Sequence, residues 1–130
     1  LSRRQRQMCI RDSIERIRKM EETGVIKEYT IIVDEKKTGN EMTALMEVSL
    51  EHPKFFDSFA DAIQKLEYIV SCYYQTGDFD LIIRISCHSS DELEEIHRQV
   101  MSLPGVDATR THVVLKNVKN IYSAIRRPDK

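Results

Sequence analysis

Two stretches of this chain repeat one pattern, and the repetition restricts the fold more than any other feature. β-type Thr43–Leu50 leads to an amphipathic run from Pro53 to Leu66, then to β-type Tyr68–Gln75. β-type Asp80–Ser86 leads to a second amphipathic run from Asp91 to Leu103, then to β-type Val106–Leu115. Val48 and Leu66 stand 18 positions apart, and so do Ile85 and Leu103. Phe56, Phe59, Ile63 and Leu66 recur at helical spacing, as do Leu93, Ile96, Val100 and Leu103. Pro53 suits a first helical turn. Ser89 with Glu92 forms a capping box, and Pro104-Gly105 ends the second helix. The order βαββαβ predicts an α+β body of the ferredoxin-like kind.

The halves meet at Thr76-Gly77-Asp78-Phe79-Asp80, a short polar link between apolar β-type runs, which predicts a β-hairpin. Gly77 permits a positive φ and Asp78 can bond nearby backbone. Asp80 opens the second run, where a lone carboxylate either caps the turn or serves a ligand. Both helices on one face of the sheet leave the other bare. Met46, Val48, Ile69, Tyr73, Ile82 and Val113 supply apolar material to both faces. A bare apolar face predicts a homodimer closing sheet against sheet with two-fold symmetry.

Ahead of the body, Ile10, Ile14, Ile17 and Met20 mark one face of a helix that Gly24 ends as a C′ glycine. Residues 1–19 hold seven Lys and Arg against Asp12 and Glu15, a surplus of five, which leaves the rest of the chain at −6. A basic head on an acidic body points to a polyanion for the head. Tyr29–Val33 reads as a short strand and Asp34–Asn40 as a polar loop, with the head–body boundary between 27 and 42. In the tail, Ile121-Tyr122 and Ala124-Ile125 suit a short helix or a frayed end, and Arg126-Arg127 a solvated one.

Several chemistries lack their residues. No run of ~18 apolar residues exists to span a membrane, and no signal-type apolar region opens the chain. Cys9, Cys72 and Cys87 form no CxxC and point to a reducing compartment, hence the cytoplasm. Glycines at 24, 39, 77 and 105 build no phosphate loop. His52, His88, His97 and His112 lack metal-ligand spacing, and no nucleophile motif occurs. No cofactor, metal or catalytic residue is expected, and the chain does not read as an enzyme. A small-molecule site is better supported. Backbone N–H groups around Gly77 can hold a carboxylate, and Asp78 or Asp80 an ammonium. Thr109, Arg110, Thr111 and His112 on the last strand are expected nearby.

Three stretches resemble the Lrp/AsnC (feast/famine) transcriptional regulators. Ser13–Ile26 (Ser-Ile-Glu-Arg-Ile-Arg-Lys-Met-Glu-Glu-Thr-Gly-Val-Ile) is similar to the end of the family's recognition helix and the segment just after it. Thr43–Leu50 is similar to its first sensor strand, and Thr76–Leu81 to its TGxxD signature. Leu103-Pro104-Gly105-Val106 and Arg110-Thr111 continue the likeness, over roughly residues 13–118. The resemblance implies an N-terminal helix-turn-helix and a C-terminal effector (RAM) domain that senses amino acids. It also implies dimers that build tetramers or octamers. DNA contact would fall to Ser13, Glu15, Arg16, Arg18 and Lys19, with phosphate contact by the three cations. Effector binding would fall to Thr76, Gly77, Asp78, Asp80, Thr109 and Thr111.

The first two helices of the helix-turn-helix are missing from the likeness, so DNA binding is expected to be impaired. Residues 1–12 resemble no part of the family and are expected to be a non-native or disordered segment. Residues 13–27 are then a recognition-helix remnant, 28–42 a linker strand and loop, 43–118 the sensing and oligomerisation domain, and 119–130 a tail. Three functions stay open: a regulator, a stand-alone amino-acid-binding oligomer without DNA binding, and an enzyme on a ferredoxin-like scaffold.

Overall fold

A computed structural model describes residues 3–120. The chain divides into two units, residues 1–33 and 34–130.

In the first unit, helix α1 spans Arg3–Glu22. It takes in the stripe expected from Ile10 onward and extends back to Arg3, so residues 3–12 are helical, against the disordered alternative for that segment. The physical reason is plain: residues 3–22 contain neither Gly nor Pro, and Arg, Gln, Met and Glu sustain a helix well. None of its residues is buried, Ile10, Ile14, Ile17 and Met20 included. The Thr23 N–H donates to the Lys19 carbonyl and the Ile26 N–H to that of Met20, both at 3.0 Å. Gly24, at φ +80°, makes this closure possible. The Tyr29 hydroxyl donates to the Glu21 carboxylate, a bond that raises the phenol pKa above its ordinary value. Tyr29–Val33 forms no strand, a correction to the expected linker strand. A strand needs a ladder partner for its backbone groups, and no described residue supplies one.

The second unit opens on a polar turn in which the Asp34 carboxylate accepts from the Lys36 N–H at 3.1 Å. Strand β1 (Met42–Leu50) follows, then a 3-10 turn at Pro53–Phe55 and helix α2 (Phe56–Gln64). Strands β2 (Ile69–Tyr74) and β3 (Leu81–Cys87) form the hairpin, and helix α3 (Ser90–Met101) leads to β4 (Val106–Val113). The sheet order is β2-β3-β1-β4, and every pairing is antiparallel. This is the ferredoxin-like arrangement, with element ends within a few residues of the sequence reading. Residues Ile121–Lys130, and with them the tail readings, lie outside the described residues.

The central strands β1 and β3 carry the core. Ala44, Met46 and Val48 alternate inward against Ile85, Ile83 and Leu81. Phe59 and Ile63 of α2 and Ile96 and Val100 of α3 close over them. The period-2 strands and the 3.6-period helices therefore meet on one face. Register puts Ile69, Thr109, Thr111 and Val113 on that same face. The opposite face carries Leu45, Tyr73 and Ile82, but also Glu47, Arg84, Arg110 and His112. It is mixed rather than apolar, since Met46, Val48, Ile69 and Val113 all face the helices.

Candidate effector site

Six residues, Gln75–Asp80, join β2 to β3. The Gln75 N–H donates to the Asp80 carbonyl at 2.8 Å and closes the loop. Gly77 sits at φ +120°, where a side chain would be strained. Ladder pairing of β1 with β3 ends at Val48 and Leu81. Beyond it, the Asp80 N–H donates to the Val48 carbonyl at 3.0 Å. The Leu50 N–H, the next donor on that edge of β1, donates to Asp80 Oδ2 at 2.8 Å. The aspartate thus replaces a ladder bond where the strands part. Its other oxygen, Oδ1, has no hydrogen bond among the described residues.

Asp80 also lines a cleft of about 480 Å³, together with Leu50, Pro53, Phe56 and Tyr74. The Phe56 and Tyr74 rings meet edge to face, with centroids 5.1 Å apart at 76°. Phe56 reaches this place because the 3-10 turn delays the start of α2. The His52 imidazole caps that turn, its Nδ1 accepting from the Lys54 N–H at 3.0 Å.

Of the residues expected to form the site, Asp80 alone lines the cleft. Thr76, Gly77 and Asp78 lie on the loop beside it. Register puts Thr109 and Thr111 on the helix-facing side of β4, whereas Arg110, expected near the loop, does reach Phe79 from the other face. The Thr109 hydroxyl is instead 3.1 Å from His97 Nε2 on α3, and the Thr111 hydroxyl is buried without a hydrogen-bond partner among the described residues. Leu50, Pro53, Phe56 and Tyr74 escaped the sequence reading. Their signal was an aromatic residue just before the link and a Pro-x-x-Phe step after β1.

On the opposite sheet face, Glu47 gathers a charged cluster. Its Oε1 accepts from Arg110 Nη2 at 2.8 Å, and its Oε2 from Gln75 Nε2 at 3.0 Å. Arg110 lies over the Phe79 ring at 4.7 Å. The Arg110 and Gln75 hydrogen bonds hold the Glu47 carboxyl below its ordinary pKa. His112 Nε2 lies 3.6 Å from the same carboxylate.

In α1, Glu15, Arg16, Arg18 and Lys19 are exposed. Ser13 spends its hydroxyl on the Cys9 carbonyl at 3.0 Å. Arg18 and Glu21 flank Ile14 and Ile17 in a shallow depression, so Arg18 borders the apolar stripe.

The body is thus a ferredoxin-like sheet with a cleft beside the β2–β3 hairpin. Residues 43–123 match the family described as the Lrp/AsnC ligand binding domain. The HTH-type transcriptional regulator FL11 of Pyrococcus horikoshii is 39% identical over 105 residues, covering 81% of this chain and 69% of that protein. Among solved structures, B. subtilis LrpC superposes with a TM-score of 0.75 at 29% identity, over 93% of this chain and 86% of that one. A Neisseria meningitidis transcriptional regulator solved in complex with L-Met reaches a TM-score of 0.82 at 20% identity, over 88% and 75%, a likeness of fold alone. The chain belongs to the Lrp/AsnC family of transcriptional regulators, and its body is that family's ligand-binding domain. Among the described residues, no helix is long and apolar enough to cross a membrane.

Proposed function

We propose that this protein is a cytoplasmic transcriptional regulator whose body binds a small amino-acid effector at the Gln75–Asp80 hairpin and oligomerises through its sheet. The observation that carries this reading is the Asp80 carboxylate in the lining of a cleft of small-molecule size. The match to the Lrp/AsnC ligand binding domain, and 32% identity over 109 residues to the leucine-responsive regulatory protein of Escherichia coli, support the ligand class. Leu45, Tyr73 and Ile82, with the Glu47–Arg110 cluster beside them, form the proposed contact between subunits. Ser13, Glu15, Arg16, Arg18 and Lys19 of α1 are the proposed DNA-contacting residues, the cations neutralising phosphates.

Calorimetric titration with the common amino acids, alongside light scattering and a gel shift, tests the reading. At least one amino acid is expected to release or absorb heat, at a mass above that of one chain. Silence across the whole panel would remove the sensor role, and a monomeric mass would remove the sheet-to-sheet contact. Replacing Arg16 and Lys19 with Gln is expected to weaken any DNA shift and flatten its salt dependence. An unchanged shift would remove α1 from the interface.

A further inference from the structure

The Gln75–Asp80 loop touches both faces of the sheet. On the helix side, Asp80 lines the cleft with Phe56 of α2. On the open side, Gln75 and Phe79 engage a charged pair. Gln75 Nε2 donates to Glu47 Oε2 at 3.0 Å and to the Phe79 carbonyl at 3.2 Å. Arg110 covers the Phe79 ring and donates to Glu47 Oε1 through Nε at 3.2 Å and Nη2 at 2.8 Å. Glu47, Gln75, Phe79 and Arg110 thus form a closed circuit in which each touches two of the others. It ties β1 and β4 to the hairpin loop. The Gln75 N–H also donates to the Asp80 carbonyl at 2.8 Å, so the residue that grips Glu47 helps to place Asp80. The other titratable groups of the open face are engaged elsewhere or lie further off. Arg84 of β3 is 3.8 Å from Glu35 of the polar turn, and His112 of β4 is 3.6 Å from Glu47. Tyr73 is the titratable residue that β2 turns to this face. The Glu47 side chain is only 17% exposed, so loss of a partner is felt strongly there.

The geometry points to a linkage device: the conformation of the hairpin loop beside the cleft and the pairing of Glu47 with Arg110 on the open face change together. In the closed loop, Gln75 and Phe79 hold the carboxylate and the guanidinium against each other, and their charges cancel. When the loop shifts, each of the pair loses a partner, and the open face presents separated opposite charges. Contiguous hydrogen-bonded and packed contacts can carry such coupling, and it acts in both directions. Gln75 is here a positioning residue. Use of the device in an effector response rests on the reading above, whereas the linkage itself does not.

The experiment is an NMR titration of the Glu47 carboxyl in the whole chain. Gly77→Ala perturbs the loop at a distance from Glu47. Gly77 lies at φ +120° and a Cβ there meets no atom within 4 Å, so the substitution acts through the backbone alone. It is expected to raise the Glu47 pKa from its lowered position toward 4.5. Gln75→Leu is expected to raise it as well, and Gly77→Ala added to Gln75→Leu to do little more, the non-additivity of a shared path. In the reverse direction, Arg110→Gln is expected to speed hydrogen exchange severalfold at the Leu50 N–H, the donor to Asp80 Oδ2. Phe79→Leu removes the ring under Arg110 and keeps the carbonyl, so a folding defect in Gly77→Ala does not decide the outcome. An unmoved Glu47 titration in folded Phe79→Leu or Gly77→Ala, shifts that simply add, or unchanged Leu50 exchange in Arg110→Gln would overturn the linkage. None of these outcomes touches the sensor reading, which the amino-acid panel decides.

Discussion

The halves of the body, β1-α2-β2 and β3-α3-β4, share one pattern and differ at one joint. From β3 to α3 the chain is regular. The Ser89 hydroxyl accepts from the Glu92 N–H at 3.3 Å, and Glu92 Oε2 accepts from the His88 N–H at 3.1 Å. Helix α3 then runs twelve residues. From β1 to α2 the chain passes through a 3-10 turn, and α2 has only nine residues and no side-chain cap of its own. The cleft lies at the irregular joint. Just after the 3-10 turn, Phe56 meets Tyr74 edge to face, and both line the cleft. Both halves contribute to the buried core, while the cleft lies in the irregular half and at its hairpin with the other.

The strongest way to break this contrast is at the contact between the halves. Gly105 follows α3 at φ +86°, and a Cβ there would lie 2.1 Å from Phe55 Cγ of the 3-10 turn. Gly105→Ala is expected to cost about 4 kcal/mol or more in urea unfolding. Phe55→Ala in the same chain should return part of that loss, measured as a coupling in a double-mutant cycle. If the two losses simply add, the halves do not meet there.

Next in size come the helix anchors. Phe59 of α2 and Ile96 of α3 are both 1% exposed. Phe59→Ala is expected to cost about 3–5 kcal/mol and Ile96→Ala about 2–5 kcal/mol, each as one cooperative transition. A biphasic melt in either would show that the halves unfold separately. Smaller again is the cap. Ser89→Ala should cost about 1 kcal/mol, and His52→Ala less, because it caps a single 3-10 turn.

The smallest effect is one of pH. The Glu47 carboxyl is held below its ordinary value of 4.5 by Arg110 and Gln75. A lowered pKa in the folded state means stability that is present above the ordinary value. It is lost as pH falls through 4.5 and on through the lowered pKa. Acid titrations of the melting temperature should therefore fall less steeply below pH 4.5 in Glu47→Gln than in the parent. Identical slopes would show that the Arg110 pairing does not survive in solvent.

The body was legible because its periodicities are strong and mutually consistent. Strand alternation, two helical stripes, Pro53, the Ser89 cap and Pro104-Gly105 all agree on one architecture. The hairpin was legible from Gly77 and the turn chemistry around it. The cleft was not, because its walls come from three separate segments and no local pattern links Leu50, Phe56 and Tyr74. Which β4 residues face the loop was not legible for a related reason: Arg110 reaches Phe79 while Thr109 and Thr111 face the helices, and that choice of face is set by long-range register. The Tyr29–Val33 run shows the opposite failure. High β-propensity made a strand in the sequence, but pairing, not propensity, makes one in space.

The sheet order β2-β3-β1-β4 leaves β2 and β4 as edges. Open edges invite other chains to add strands, the first step toward aggregation. Here β2 is only six residues long and shifts register between Ile69 and Ser71. β4 shows Asp107, Arg110 and His112 along its length and meets β1 through a second shift at Ser49 and Leu50. Both margins are therefore poor templates for an added backbone ladder, so concentrated solutions should resist fibre growth through these strands even when the mixed sheet face is free.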